Sequence, residues 1–88
     1  MKETLLKQAE EIIKGARNES YGPMRKSFDR TAMLWSVILN KNVTSEQVCL
    51  CMVALKLSRE IHRHLDDNLV DMMGYLEIIN QIREDDKD

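Results

Sequence analysis

Apolar positions recur at helical spacing in four stretches of this chain, separated by short polar joints. Over residues 3–15, Leu5, Leu6, Ala9, Ile12, Ile13 and Ala16 follow the i, i+3, i+4, i+7 rule, while Lys7, Glu10, Glu11 and Lys14 fall mostly off the stripe. Thr4 or Glu3 is placed to open this helix. Gly15 or Asn18, both tolerant of the left-handed backbone of a C-cap, is placed to close it. A loop follows, ARNESYGPMRKS, punctuated by Gly22 and Pro23. Pro23 suits the first turn of a second helix over about 24–39, where its missing N–H costs nothing. Phe28, Thr31, Ala32, Leu34, Trp35, Ile38 and Leu39 give that helix a wide apolar face, with Trp35 as core anchor.

Asn40, Lys41 and Asn42 make the next turn. A third helix over 45–63 opens either on a Thr44–Gln47 capping box or on Ser45, with Glu46 at the positive helix end. Val48, Cys51, Met52, Leu55 and Ser58 are expected to line its inner face, widened by Cys49, Val53 and Leu57. A helix apolar over so much of its girth belongs at the centre of a bundle. His64, Leu65, Asp66 and Asp67 form a joint, with Asp66 or Asp67 capping a fourth helix over 67–83. Leu69, Met72, Met73, Leu76, Ile79 and Ile82 make its stripe. Gly74 interrupts it at a cost of about 1 kcal/mol relative to Ala, which close packing or a ligand should offset. The pattern predicts an all-α, small four-helix arrangement centred on an antiparallel helical hairpin of 45–63 and 67–83.

Length adds two expectations. Eighty-eight residues hold one core, so 1–88 reads as a single domain: an N-terminal helix to residue 16, a core over 17–80 and a frayed charged tail, EDDKD, over 84–88. A helical chain this short gains stability by associating, which predicts a homo-oligomer. Three Gly and one Pro speak against an all-β fold. Thirteen basic and fifteen acidic residues, net charge -2, provide no basic face for DNA. No apolar run approaches the roughly 20 residues that span a bilayer. The charged start MKETLLKQAEEIIK lacks the apolar centre of a signal peptide. Cys49 and Cys51 point about 200° apart on a helix, too far for a disulfide or a shared metal. They read as buried small residues of an intracellular protein.

Candidate chemistry gathers on the third and fourth helices. Lys56, Arg59 and Arg63, three and four apart, fall roughly on one face. Lys56 stands between Leu55 and Leu57, where it could reach a phosphate with Arg59 as a forked second donor. The plainer alternative is that both reach solvent or pair with carboxylates of the fourth helix. Asp67, Asp71 and Tyr75 share one face, and Glu60 could meet them across the joint. Such carboxylates suit Mg²⁺; alternatively Asp67 caps and Asp71 pairs with Arg59. His62 and His64 point to different sides of a helix and have no third zinc ligand near. Neither a local nucleophile–base arrangement nor a Gly-rich phosphate loop is present. The Tyr21 ring could lie over a nucleobase or tuck onto the bundle.

Several motifs occur in order: Tyr21-Gly22, Phe28, Leu34-Trp35-Ser36, Thr44 to Val48, Met52 to Arg59 with Leu55-Lys56-Leu57-Ser58, then Asp67, Val70-Asp71 and Gly74-Tyr75. Over 17–80 this pattern resembles a small helical domain common in phage genomes and of unknown function. That domain is similar in turn to phage nucleotide-modification-associated domains, whose helices resemble the MazG-like all-α nucleotide pyrophosphatases. MazG-like enzymes hold Mg²⁺ with an ExxE and an ExxD pair. Here Glu10 and Glu11 are adjacent, Glu60 has no acidic partner at that offset, and Asp67 and Asp71 stand four apart.

The resemblance implies a cytoplasmic protein of a phage or prophage that handles a nucleotide. One expectation is a non-catalytic binder that sequesters a nucleotide signal of host defence and needs no cofactor. In it Lys56 and Arg59 grip phosphate, Tyr21 or Tyr75 stacks on the base, and Asp71 orients Arg59. A second is a Mg²⁺-dependent nucleoside triphosphate pyrophosphatase with Glu60, Asp67 and Asp71 as ligands. A third is a helical module that binds or inhibits a host protein.

Overall fold

A computed structural model of the chain describes residues 4–11 and 21–87 and, within these, every side chain but those of 21–24. The described residues are helical apart from their turns: α1 over 5–11, α2 over Tyr21–Leu39, α3 over Ser45–His62 and α4 over Asp66–Asp85. Thr4 caps α1 by accepting the Lys7 N–H at 3.1 Å on its hydroxyl. The expected end of that helix at Gly15 or Asn18 lies outside the described residues.

α2 begins three residues before the predicted start, so Tyr21 and Gly22 share its first turn with Pro23. The first four N–H groups of a helix have no intrahelical acceptor, and a proline anywhere among them forfeits no bond. α2 stops at Asn40, which takes a left-handed backbone with φ 52°. The Lys41 N–H reaches Ser36 O at 3.2 Å and the Asn40 N–H reaches Val37 O at 3.3 Å. That is the Schellman pattern, in which a residue tolerant of positive φ lets two orphan carbonyls be satisfied. Ser36 then fixes the turn into α3, its hydroxyl accepting the Val43 N–H at 2.8 Å.

α3 opens on the full capping box. Thr44 accepts the Gln47 N–H at 3.1 Å, and the Gln47 amide oxygen accepts the Thr44 N–H at 2.9 Å. α4 is entered differently from expectation. Leu65 holds the cap position and makes no side-chain bond, while Asp66 and Asp67 sit inside the first turn. There their negative charge favours the positive end of the helix dipole. At its other end α4 runs to Asp85, past the predicted 83, and the Asp86 N–H still reaches Ile82 O at 3.0 Å. Arg25 of α2 reaches toward this charged tail, 3.8 Å from Asp85 and 3.4 Å from Asp86.

Cys49, Ile78, Ile79 and Ile82 form the core cluster, with Phe28 and Tyr75 packed against it. The Phe28 and Tyr75 rings meet edge to face at 6.2 Å and 80°, tying α2 to α4. Two expectations for α3 are corrected here. Its inward side is Val48, Cys49, Met52, Val53, Lys56 and Glu60, whereas Cys51, Leu55, Leu57 and Ser58 are exposed. Only Cys49 of the two cysteines is buried, and burial pushes its thiol up to about 11. α3 carries apolar residues around most of its girth, so periodicity alone does not choose its inner face. The polar partners on α4 choose it. Gly74 is a third correction: a methyl built on it meets nothing within 4 Å, so neither close packing nor crowding explains the glycine.

Candidate functional site

Polar pairs join α3 to α4 at three heights. Near the start of α3, Arg83 forks onto Glu46, with Nε to Oε1 at 2.7 Å and Nη2 to Oε2 at 2.9 Å. At mid-helix, Lys56 Nζ lies 2.9 Å from Asp71 Oδ2. At the joint, Glu60 Oε1 accepts the Leu65 N–H at 3.0 Å and the Asn68 side-chain N–H at 3.3 Å. The partners on α4 run in the opposite order to those on α3.

The mid-helix pair is the phosphate-site candidate. Lys56 is buried for most of its length, its side chain 17% exposed, and it has Asp71 as an internal anion. A lysine so enclosed needs such a partner, because an unpaired buried ion costs several kcal/mol. Asp71 therefore holds Lys56 and does not orient Arg59. Arg59 is exposed on the flank of α3, and no ion pair to it is present among the described residues. Tyr75, proposed to stack on a base, is half-buried with its ring against Phe28. Tyr21 heads α2, and its side chain lies outside the described residues.

The three candidate metal ligands are not brought together. Glu60 is engaged at the joint, Asp71 holds Lys56, and Asp67 is exposed. Among the described residues no group of three or more His, Cys, Asp or Glu side chains could hold a metal ion. Glu60 instead builds a small electrostatic latch. Its second oxygen bonds His64 Nδ1, and His64 Nε2 lies 3.0 Å from Asp66 Oδ1. The His64 bond, helped by those from Leu65 and Asn68, holds the Glu60 carboxyl below its usual range. Glu60, then Asp66, raises the His64 imidazole above its own. In effect Glu60 supplies the cap expected of Asp66 or Asp67, from five residues upstream.

A second polar cluster escaped the sequence reading because its members are far apart in the chain. Arg25 of α2, Ser45 and Glu46 of α3, and Arg83 and Asp86 of α4 line an open cleft of about 460 Å³, with Asp29 and Asp85 paired to Arg25 beside it. Arg25 Nε bonds Asp29 at 3.1 Å, and the Ser45 hydroxyl donates to the same carboxylate. The Ser45 bond, before that of Arg25, lowers the Asp29 carboxyl. Each arginine here already faces an acid, so the cleft clasps three helices and has no spare positive charge for an anion.

The outward faces of α2 and α3 are unusual in what they expose. On α2, Met33, Leu34, Val37 and Ile38 project to solvent, with Val37 and Ile38 about three-quarters exposed. Lys26 and Arg30 continue that arc toward the helix start, both exposed. On α3, Leu50, Leu57 and Ile61 are exposed while Lys56 and Glu60 turn inward. The signal in the sequence is a surplus of aliphatic positions over what one small core needs. The sequence reading placed Leu34, Ile38, Leu55 and Leu57 inside. The described residues contain no helix long and apolar enough to cross a membrane.

Residues 4–83 match a family described as a domain of unknown function, DUF6378. The chain is 34% identical over 89 residues to the Gene 55 protein of Mycobacterium phage D29, covering 97% of this chain and 57% of the relative. It is 33% identical over 88 residues to the Gene 55 protein of Mycobacterium phage L5, covering 96% of this chain and 56% of that one. The chain thus spans a little over half the length of these curated relatives. No solved structure matches it significantly. Phage relatives agree with the phage origin that the motif order implies.

Proposed function

The chain belongs to the DUF6378 family, a domain of unknown function, and on that premise we propose that it is a phage protein that binds another protein without catalysis. The working surface is the outer face of α2. One observation carries this: Met33, Leu34, Val37 and Ile38 stand in solvent beside Lys26 and Arg30, and no acid shares the arc because Asp29 turns to Arg25 and Ser45. An exposed apolar patch with a single-sign rim is the signature of a recognition site. Its complement is an amphipathic helix with an apolar stripe and acidic flanks, seated as a helix in a groove.

A nucleotide-binding reading has one observation in its favour. Asp71 is more open to solvent than Lys56, and exposed Arg59 lies one turn on, so a phosphate displacing Asp71 would meet two cations. One titration separates the readings. Backbone amide NMR shifts of the whole protein are followed against two synthetic helices sharing a Leu/Ile stripe, one flanked by Glu and one by Lys, and against ATP and a cyclic dinucleotide. The protein-binding reading expects shifts on α2 with the Glu-flanked helix, at least tenfold tighter than with the Lys-flanked one, and abolished by Val37→Glu. Equal or absent binding of the two helices refutes it. Submillimolar nucleotide binding that shifts α3 around Lys56 and is lost in Lys56→Met supports the nucleotide reading instead.

A further inference from the structure

α3 is organised inside out. Of its charged residues, Glu46 is forked to Arg83, Lys56 is held by Asp71, and Glu60 closes the joint, which leaves Arg59 as the exposed one. Another side of the helix, bordered by Glu46, carries Gln47, Leu50, Ala54, Leu57 and Ile61, all exposed, with Ile61 at 79%. Their spacing is three, four, three, four. That is the a/d repeat of a coiled-coil seam, period 3.5, sustained over the whole helix. The flanking positions are Cys51 and Ser58 on one side, uncharged and exposed, and Glu46, Val53 and Glu60 on the other, half-buried, with both acids already bonded within the chain. Arg59 lies about 160° from Ile61 around the helix, well off the seam.

We propose that this seam pairs with the same seam of a second copy, the two α3 helices running antiparallel. Two features select a second copy. The seam carries no charge, so it meets itself without repulsion, whereas the Lys26–Arg30 rim makes the outer face of α2 unfit to face its own copy. The seam's aliphatic members are also left uncovered by the single chain, Leu50 and Leu57 about half exposed and Ile61 79% exposed, and two copies bury them against each other. The antiparallel sense follows from the side chains. In-register parallel pairing sets Ala54 against its own copy and leaves a void. Antiparallel a-to-d pairing sets Ala54 against the partner's Leu57 and Leu50 against the partner's Ile61, alternating small with large across the seam. This inference goes beyond the α2 reading and does not depend on it.

Sedimentation equilibrium of the whole protein at tens of micromolar tests the pairing. The expected mass is twice 10.3 kDa. Ile61→Glu and Leu50→Lys, each at an exposed position, are each expected to be monomeric with unchanged helical circular dichroism. Mixing the two variants restores the dimer, because Lys at 50 then faces Glu at the partner's 61. Val37→Glu leaves the dimer intact while removing helix binding at α2, so the two proposals fail separately. A monomeric wild type, or a dimer indifferent to Ile61→Glu, overturns the inference. Single variants that dissociate but do not rescue one another overturn the antiparallel pairing.

Discussion

Gly74→Ala is expected to stabilise this protein. The residue lies inside α4, eight positions from its first residue and eleven from its last. Its φ is not positive, so an L side chain meets no backbone strain. A methyl group added there meets no atom within 4 Å, so it forces nothing to shift. What remains is propensity: glycine in a helix interior is about 0.8–1.0 kcal/mol worse than alanine, chiefly through the backbone freedom it retains when unfolded. The variant is therefore expected to gain about 1 kcal/mol, which for a chain of this length raises Tm by roughly 4–8 °C. Urea and thermal unfolding followed by circular dichroism, with the urea dependence unchanged, measure it. A lower Tm would refute the reasoning and mean that Gly74 is pressed against something the single chain does not supply.

Two further outcomes follow from the caps. Thr44→Ala removes the hydroxyl from a complete capping box and should cost about 0.5–2 kcal/mol in urea unfolding. The α3–α4 joint gives a pH signature. His64 is raised by Glu60 and then Asp66, so its contribution is fully present below the unfolded value of 6.5 and is lost as pH rises through its higher folded value. Glu60 is lowered, so its contribution is present above 4.5 and lost as pH falls through its lower folded value. Urea midpoints measured across this range should peak between 4.5 and 6.5, and His64→Ala should flatten the alkaline side and, by removing the bond that most lowers Glu60, soften the acid side as well; an unchanged alkaline limb counts against the latch.

Helical periodicity disclosed the all-helical class, and local chemistry disclosed the start of α3, because Thr44 and Gln47 complete their bonds within one turn. Ends set by partners distant in the chain were not legible. Nothing near Asp85 or Asp86 announces Arg25, and nothing beside Leu65 announces that Glu60 caps it. The candidate site was legible as residues and not as roles. Lys56 and Asp71 were singled out, but whether Asp71 faces Lys56 or Arg59 depends on how α3 is rotated, and rotation was the ambiguous quantity. Helical spacing puts Leu55 on an inner stripe with Val48, Cys51 and Met52, widened by Leu57, yet Lys56 turns inward with Val53 and Glu60 and carries both leucines outward.

That rotation has an energetic logic. The described core is small, with Cys49, Ile78, Ile79 and Ile82 at its centre, the isoleucines each worth roughly 1.5–3 kcal/mol at most when fully buried. Such a core sets no unique rotation of a helix whose other faces are equally aliphatic. The enclosed Lys56–Asp71 pair and the Glu60 bonds at the joint favour one rotation, since rotating α3 would part groups that satisfy each other there, while the fork of exposed Arg83 onto Glu46 agrees with that rotation at little energy. Polar pairs therefore specify the arrangement. The aliphatic surface they turn outward contributes little to the isolated chain and is available to a second one. Stabilisation by such a partner acts on the folded state alone, so folding and pairing become linked by mass action. A chain of 88 residues with a thin core is the case in which that linkage matters most.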